Sequence, residues 1–409
     1  MPVESPFHPR TAPLCESYRW KEWAGRHAVC SFGTTVDPEY LALRHACGLI
    51  DVSPLFKYEV KGPDAAALLS WIWTRDVTRL AVGAVAYGCW CDEDGKVIDD
   101  GTVARLGPER YRMTAAEPSL RWLSRQARGF DATLRDESES VAALALQGPT
   151  SRGVLRELCG SEAADLEFFR GTRARAGGLE LDVTRTGYTG DLGFELWVDA
   201  TDAVELWDAA VAAGADHGLA PVGLDALDIT RLEAGFLLAG VDYIGARDAI
   251  IPSQTSTPFE LGLGWAVHLE RGPFVGRDAL RREARGRSRG RSRQALVGLV
   301  ADWEAIEELH ERHSLPPSLP TRAWRESVPV YAAGRQVGRA TSGTWSPTLK
   351  QNLALATVEA GRSAVGTRLE LETTVAYERH TVPATVVERP FFDPPRKKAS
   401  SGAAAEEGA

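Results

Sequence analysis

The segment ELDVTRTGYTGDLGFELWV, residues 180–198, decides the fold of the chain around it. Two extended runs flank a turn that contains two glycines, which permit tight backbone turns. The turn presents the ring of Tyr188, and Glu195 follows on the second strand. A run with strong helical periodicity, residues 203–218, comes next. Strands and helices therefore alternate in this part of the chain.

The same alternation extends towards the N-terminus. Residues 58–80 read as a strand, a turn and a helix that begins after Asp64, a good capping residue. Residues 86–106 read as two strands around a polar turn at residues 92–95 that ends in glycine. We therefore predict a mixed α and β region over about the first 280 residues.

The chain changes character after residue 280. Residues 281–293, RREARGRSRGRSR, are basic and poor in apolar residues, which favours a solvated connection; an RNA-binding arm is the alternative. Short extended runs separated by Gly- and Pro-bearing turns follow, typical of a small β-barrel or sandwich. We divide the chain into a region at residues 1–282, a basic linker at 283–294, a β-barrel domain at 295–395 and a disordered tail at 396–409.

Composition excludes several classes of function. The 409-residue chain carries a net charge of −9, which is the wrong sign for wrapping a phosphate backbone, so we expect no nucleic-acid partner. No run approaches the roughly 18 apolar residues of a membrane span, and the N-terminus lacks a signal-peptide pattern. Six cysteines are too sparse for a disulfide framework. We expect a soluble, cytoplasmic protein with reduced thiols and no membrane partner.

Adjacent carboxylates at Asp99 and Asp100 are the first candidate for chemistry. Side chains alternate along a strand, so only one of the two can face a cavity. A carboxylate in a cavity could orient an amine, stabilise an iminium cation or shuttle a proton. Spacing alone favours the other interpretation, an acid pair beside a turn that is held in water.

Two further segments could bind a ligand. A flat heteroaromatic such as a pterin would suit the Tyr188 ring and a Glu195 carboxylate that accepts N–H donors, although a structural tyrosine and a surface glutamate fit the same pattern. In the helical segment of residues 225–235, spacing alone favours a solvent-facing ion pair for Arg231 and Glu233.

Other chemistries have no signature in the sequence. There is no phosphate-binding glycine loop, nucleophile elbow or zinc-protease motif. The eight histidines are scattered without ligand spacing, and no Cys/His cluster suggests zinc, so we predict no metal site.

Several of these segments, taken together and in order, resemble the aminomethyltransferase (glycine-cleavage T-protein) family, and specifically its divergent branch of tetrahydrofolate-dependent demethylases. The resemblance covers roughly residues 42–392, with an insertion between Trp303 and Arg322. It implies an α+β fold in which interleaved α/β N-terminal subdomains and a C-terminal β-barrel form a three-domain ring. It also implies tetrahydrofolate as cofactor, with its pterin buried in a central channel. The segments that carry the resemblance are ALRHACGLIDVSPLFKYEVKGPDA, TRDVTRL, DEDGKVIDD, ALALQGP, TRTGYTGDLGFEL, GLDALDITRLEAG, PFELGLGW, FVGRDAL, TSGTWSPTLKQNLALA and ERPFF.

Matched position by position, Asp100 takes the place of the family's catalytic aspartate, which puts Asp100 inward and Asp99 outward. The residues that the resemblance implies for cofactor binding are Tyr87, Tyr188, Glu195, Arg231 and Trp345.

The chain also departs from the family pattern. Pro54 replaces a histidine, Leu227 an arginine and Ala115 an asparagine. These departures weigh against glycine cleavage and favour a transferase or demethylase that takes a methyl or aminomethyl group from a small methylated donor. Asp100 favours a nitrogen donor, because an anion stabilises an ammonium or iminium cation.

Three alternatives stay open. The chain could be the aminomethyltransferase of the glycine-cleavage system, whose partner is a lipoyl carrier protein. It could be an O- or S-demethylase with the same folate acceptor. It could also be a non-catalytic folate-binding protein that assists assembly or repair.

Overall fold

The structure, a computed structural model, describes residues 1–287 and 293–400. The chain forms two compact units. Unit 1 contains Met1–Gly88, Asp99–Thr230 and the described residues from Asp393 onward, and unit 2 contains Cys89–Ile98 and Arg231–Phe392. The four-part division at residues 282, 294 and 395 that the sequence suggests differs from these two units and stays a prediction.

A six-stranded sheet forms the centre of unit 1. Alternating side chains of its strands fill two cores, because a strand directs successive residues to opposite faces. In the strand that contains Gln147, Leu144 and Leu146 enter one core while Ala143 and Ala145 enter the other. In sheet order the strands are β10 (Gly171–Ala176), β11 (Leu179–Thr184), β12 (Gly193–Asp199), β9 (Val141–Gln147), β3 (Cys47–Asp51) and β13 (Leu219–Pro221).

A five-stranded sheet is inserted in the chain between β3 and β9. The N-terminal region thus interleaves two α+β parts, as the resemblance implies. In sheet order its strands are β5 (Val85–Cys91), β6 (Val97–Gly107), β7 (Arg110–Ala115), β4 (Phe56–Lys61) and β8 (Thr133–Asp136); a separate hairpin contains β1 (Arg19–Trp23) and β2 (Arg26–Ser31).

Unit 2 contains a closed six-stranded barrel. Around the barrel the strands are β14 (Gln294–Ala301), β17 (Gln351–Glu359), β16 (Arg335–Ser346), β15 (Val328–Ala332), β18 (Arg368–Val375) and β19 (Glu378–Val387). The barrel closes because β14 pairs with both β17 and β19. In the last strand Val382, Ala384 and Val386 alternate with more exposed residues, so one side of the strand fills the barrel core. The predicted C-terminal β-barrel is thereby confirmed.

Helices cover the sheets with apolar stripes. In the helix at residues 203–213, Ala203, Leu206, Trp207 and Ala210 are buried at the spacing expected of one helical face. Unit 1 contains α1 (His8–Leu14), α2 (Asp37–His45), α3 (Ala65–Ile72), α4 (Leu120–Gln126), α5 (Ser151–Cys159), α6 (Ser161–Ala164) and α7 (Ala203–Ala213). The helix α8 (Leu224–Glu233) ends in unit 2, which also contains α9 (Arg277–Arg287) and α10 (Trp303–Arg312).

The basic linker and the tail are only partly described. Helix α9 extends through Arg287, so the first residues of the predicted linker are helical, and residues 288–292 lie outside the described residues. At the start of the predicted disordered tail, Arg396 and Lys397 make ion pairs, and residues 401–409 lie outside the described residues. All six cysteines are free thiols. Over residues 1–287 and 293–400, no helix is both long and apolar enough to cross a membrane.

A buried ion cluster around Asp191 joins distant parts of unit 1. Asp191 accepts two hydrogen bonds from Arg396, both at 2.7 Å, and lies 3.5 Å from Arg44. The Arg44 guanidinium also donates to the carbonyl oxygens of Thr189 at 3.0 Å and Thr230 at 3.2 Å. The side chains of Asp191 and Arg44 are 0% and 1% exposed. The cluster therefore holds the turn after Tyr188 against helix α2 and the C-terminal segment.

Replacing Asp191 by Ala is expected to lower the free energy of unfolding by about 3–5 kcal/mol, because it removes a buried carboxylate that lies between the Arg44 and Arg396 guanidinium groups. Asp208→Ala is the matched control, since Asp208 also pairs with an arginine, Arg10, but both side chains are exposed. The control should leave the free energy of unfolding nearly unchanged. Urea denaturation of the three proteins measures the difference, and equal stabilities would contradict the role of the cluster.

Candidate functional site

The side chain of Gln147 fixes the glycine-rich turn between β11 and β12. Its Nε2 donates to the carbonyl oxygens of Thr186 at 3.2 Å and Phe194 at 3.1 Å, and its Oε1 accepts from the Thr189 hydroxyl at 3.0 Å. A Cβ atom at Gly187 would lie 2.0 Å from Gln147 Oε1, closer than real contacts allow. Glycine is therefore needed beside the amide, and the turn on which Tyr188 lies has a defined conformation.

Glu195 lies in the middle of β12, opposite Thr184 of β11 on one side and Ala145 of β9 on the other. Its carboxylate oxygen Oε2 accepts from the hydroxyl groups of Thr186 at 2.5 Å and Thr184 at 3.5 Å. Neither of these bonds uses Oε1, which accepts no hydrogen bond from residues 1–287 or 293–400. Burial raises the pKa of the Glu195 carboxyl, and the two threonine hydroxyl groups lower it in part.

Tyr188 and Glu195 share one face of the six-stranded sheet. Tyr188 is half-buried and packs on the core that contains Ala143, Ala145 and Trp197. Glu195 is two residues from Trp197 on the same strand and therefore points to that face as well. The ring and the carboxylate that the sequence singled out therefore lie on the same face of the sheet, which carries small alanine side chains.

Asp99 is buried and not outward-facing, so that expectation was wrong. Its side chain is 0% exposed. Its carboxylate accepts three backbone N–H groups, from Asp100 at 2.8 Å, Ala116 at 3.0 Å and Glu117 at 2.9 Å. These bonds tie the loop after β7 to β6, which alternation along a strand does not reveal. Burial and the neighbouring Asp100 carboxylate raise the pKa of Asp99 well above its usual range.

Asp100 is half-buried on β6, and its Oδ2 accepts a hydrogen bond from the Tyr87 hydroxyl at 2.7 Å. Tyr87 lies on the neighbouring strand β5, where its carbonyl oxygen accepts from the Arg75 guanidinium at 2.8 Å. A Cβ atom at Gly101 would lie 2.1 Å from the carbonyl oxygen of Thr114, so β6 runs unusually close to β7 directly after Asp100. The carboxylate is therefore held by its backbone and by Tyr87.

The two sheets that carry these pairs meet through Arg112 of β7. The Arg112 guanidinium pairs with Asp182 of β11 at 3.0 Å and lies 5.4 Å from the centre of the Trp197 ring. The Trp197 indole N–H donates in turn to Thr184 at 3.1 Å, next to Glu195. A continuous chain of contacts thus connects the strand next to β6 with the Glu195 strand.

Arg231 and Glu233 are buried, so the solvent-facing ion pair that helical spacing favours was wrong. Arg231 is 0% exposed and pairs with Asp242 at 2.6 Å. Asp242 also accepts from Thr341 and Ser342, each at 2.7 Å. Both arginine and aspartate belong to unit 2. Asp242 lies beyond the end of helix α8, so spacing within the helix could not reveal it as the partner of Arg231. A cofactor-binding role for Arg231 stays a prediction.

Trp345 lies on β16 of the barrel, half-buried, with its ring centre 5.3 Å from that of Trp303 at the start of α10. The packing of two indole rings accounts for its position. Its predicted contact with the cofactor stays a prediction.

The structure brings Tyr87 to Asp100 and Tyr188 to the sheet face of Glu195. That both pairs line one pterin-sized cavity stays a prediction. Sequence reasoning missed Thr184 and Thr186, the partners of Glu195. Antiparallel register across the turn is the signal that could have found Thr184, since it lies directly opposite Glu195.

Comparison with known proteins agrees with this fold. An aminomethyltransferase from Streptomyces avermitilis is 37% identical over 351 residues, which is 85% of this chain and 87% of the relative. A trimethylamine-oxide aldolase from Ruegeria pomeroyi is 34% identical over 416 residues, 98% of this chain but 48% of that protein. The crystal structure of glycine cleavage system aminomethyltransferase T from Bartonella henselae superposes with a TM-score of 0.78 at 24% identity, covering 96% of this chain and 99% of that one.

Two family descriptions together match most of the chain. Residues 16–271 match the GCVT N-terminal domain, and residues 316–393 match the glycine cleavage T-protein C-terminal barrel domain. The structural match confirms the predicted α+β class with its C-terminal barrel. With its sequence relatives in agreement, the chain belongs to the glycine cleavage T-protein (aminomethyltransferase) family.

Proposed function

We propose that this protein is an enzyme that transfers a one-carbon unit to tetrahydrofolate from a small amine donor, a methyl group from an N-methyl donor or a methylene-level carbon from an aminomethyl donor. The hydrogen bond from Tyr87 to Asp100 carries the proposal, because it holds a half-buried carboxylate in one orientation on a rigid strand. A fixed anion of this kind stabilises a cation that develops on a bound amine.

The Glu195 region supports the folate part of the proposal. Oε2 is held by two threonine hydroxyl groups, whereas Oε1 has no hydrogen-bond donor among the described residues. A pterin edge carries N–H donors that such an oxygen can accept, and the Tyr188 ring offers a flat surface beside it. Ala145, directly opposite Glu195 on β9, has a small side chain and so takes up little room beside the carboxylate. The residues present therefore fit the cofactor.

The substrate side supports an amine over a lipoyl-bound aminomethyl group. Leu227, where the family pattern has an arginine, is buried in an apolar core, and Ala115 and Pro54 are buried as well. One of the relatives is named a trimethylamine-oxide aldolase, and the substrate in that name is a methylated nitrogen compound. The aminomethyltransferases among the relatives favour the second candidate, the glycine-cleavage reaction.

The site residues have separate roles in the proposed reaction. Asp100 would face the donor nitrogen and stabilise its positive charge until the carbon–nitrogen bond breaks and the amine leaves. It would also accept the proton that the acceptor nitrogen loses when it takes up the carbon. Tyr87 keeps the Asp100 carboxylate in place through its hydroxyl hydrogen bond. When bound, tetrahydrofolate supplies the nitrogens that receive the carbon. Glu195 and Tyr188 orient the pterin so that these nitrogens reach the donor.

A donor screen tests the proposal. Methylated amines, betaines, sulfonium compounds and methoxy-aromatics are incubated with tetrahydrofolate, and 5-methyl- or 5,10-methylene-tetrahydrofolate is followed by mass spectrometry. Turnover of an amine supports the proposal. Ammonia release from an aminomethyl-lipoyl carrier would support the glycine-cleavage reaction instead, turnover of ethers or sulfonium compounds alone an O- or S-demethylase, and folate binding without turnover a non-catalytic protein.

Asp100→Asn is expected to lower kcat by about 100-fold or more, because the neutral amide neither accepts the proton nor stabilises the cation. The Kd for tetrahydrofolate should change little, since the amide is isosteric. Asp94→Asn, at an exposed acid in the nearby turn, is the control and should retain wild-type turnover. Wild-type turnover by Asp100→Asn would reject the catalytic role.

Tyr87→Phe separates a positioning role from cofactor binding. Loss of its hydrogen bond to the Asp100 carboxylate should lower kcat by about tenfold. If Tyr87 instead binds the cofactor, the Kd for tetrahydrofolate rises while kcat at saturation is retained. Steady-state kinetics and calorimetry on the same sample decide between these results.

Glu195→Gln is expected to weaken tetrahydrofolate binding by about tenfold or more, because a hydrogen bond to a charged group is lost. In the wild type, affinity should fall as the pH decreases through the raised pKa of Glu195, because the protonated carboxyl no longer accepts N–H donors as an anion. The variant should lack this dependence. Glu180→Gln, an exposed glutamate on β11, is the control in anaerobic calorimetry. Equal affinities for all three proteins would contradict the role of Glu195.

A further inference from the structure

Two histidines and a glutamate of unit 2 meet at the end of helix α10. The Nε2 atoms of His313 and His380 lie 3.1 Å apart, and His380 Nε2 lies 3.8 Å from Glu378 Oε2. One ligand atom from each residue falls within 4.8 Å of the other two. None of these residues takes part in the proposed one-carbon chemistry.

The local structure explains why these side chains converge. Glu378 and His380 are two residues apart on β19 and therefore share a face of the strand. Strand β19 follows β18 through a two-residue turn at Ala376 and Tyr377, which have φ values of 52° and 66°. Val375 pairs with Glu378 across this turn, so the position of the glutamate is set by the hairpin.

The third side chain comes from the end of α10. The N–H groups of His313 and Leu315 both donate to the carbonyl oxygen of His310, and Ser314 has a φ of 57°, so the helix stops in a defined left-handed turn. Leu309 anchors the last turn of the helix in the barrel core. Backbone geometry and packing therefore both direct His313 towards β19.

The spacing fits a metal ion. With metal–ligand distances of about 2.0–2.1 Å and tetrahedral geometry, neighbouring ligand atoms lie about 3.3 Å apart. The two observed separations lie on either side of this value. The Glu378 side chain is 69% exposed and can move, whereas His380 is 26% exposed and more confined. Imidazole nitrogens with one carboxylate favour zinc and similar ions over calcium or magnesium, which prefer oxygen ligands.

We propose that His313, Glu378 and His380 bind a divalent transition-metal ion of the zinc type, with solvent in the remaining position. The ion connects the C-terminal end of α10 to the β18–β19 hairpin. Its role is therefore structural: it holds the helix, which lies in the insertion predicted between Trp303 and Arg322, on the barrel. The proposal is independent of the proposed function, because the two share no residue.

Metal titration of tag-free protein, first stripped with a chelator, tests the site. Zinc binding by calorimetry and Co²⁺ binding by visible absorption should each give one ion per chain. His313→Ala and His380→Ala should each weaken zinc binding by more than about tenfold. Loss of an outer-shell partner already costs a metal site about 10–100-fold in affinity, and these variants remove a ligand itself. Glu378→Gln should weaken zinc binding less, because the Glu378 side chain is more exposed than that of His380 and is therefore held less firmly in place.

His310→Ala is the matched control. His310 lies on the same helix, and its Nδ1 atom bonds to the carbonyl oxygen of Ile306 at 2.8 Å, away from the cluster. This variant should bind zinc with wild-type affinity. Zinc should raise the Tm of the wild type and of His310→Ala but not of His380→Ala, and all variants should have similar Tm values in chelator.

Two results would overturn the proposal. The first is wild-type protein that binds neither Zn²⁺ nor Co²⁺, which would mean that the two imidazoles share only a direct hydrogen bond. The second is binding that His313→Ala and His380→Ala retain at wild-type affinity, which would place the ion elsewhere on the chain. Because binding is read without folate or donor, either result is distinguishable from a failure of the proposed one-carbon chemistry.

Discussion

Gln147 makes the hydrogen bonds on which the candidate site depends. Its amide bonds to the backbone at Thr186 and Phe194, on the two sides of the turn that bears Tyr188. A buried amide that finds all its partners stabilises one conformation, whereas the same amide left unpaired would cost free energy. Gly187 is part of the same constraint, because no side chain fits beside the amide. The Gln147 amide therefore fixes the position of the Tyr188 turn and the start of β12.

Neighbouring carboxylates have different tasks because their surroundings differ. The Asp99 carboxylate accepts hydrogen bonds from three backbone N–H groups and so holds the loop after β7 in place. Asp100, one residue later on the opposite face, is half-buried and bonded to the Tyr87 hydroxyl. The buried acid rigidifies the strand and so limits the movement of its neighbour. Precise placement of a charged group is what electrostatic catalysis requires.

Much of the fold follows from local patterns. Alternation and turn residues predict the strands on either side of Tyr188, and short runs between Gly- and Pro-bearing turns predict the barrel. The resemblance, which rests on several segments in order, implies both the family and Asp100 as the catalytic candidate. The family is confirmed by the comparisons, and the role of Asp100 stays a prediction.

Non-local pairing is what the sequence could not reveal. Arg231 was expected in solvent because its helix offers a neighbouring Glu233, yet it is buried against Asp242. Asp99 was expected to face outward because side chains alternate between the two faces of a strand. Alternation does not predict that the loop after β7 folds over the Asp99 face and buries it. The meeting of His313 and His380 depends on a helix end packing against a hairpin 67 positions further along the chain. In each case the partner is set by tertiary packing.

A crystal structure of the protein with bound tetrahydrofolate tests the central claim most directly. The account predicts that the pterin lies on the Tyr188 ring, that its N–H edge faces Glu195 Oε1, and that the nitrogens which receive the carbon lie within hydrogen-bonding reach of the Asp100 carboxylate. A pterin bound elsewhere in the chain, or one that contacts Glu195 while Asp100 faces a separate region, would contradict it.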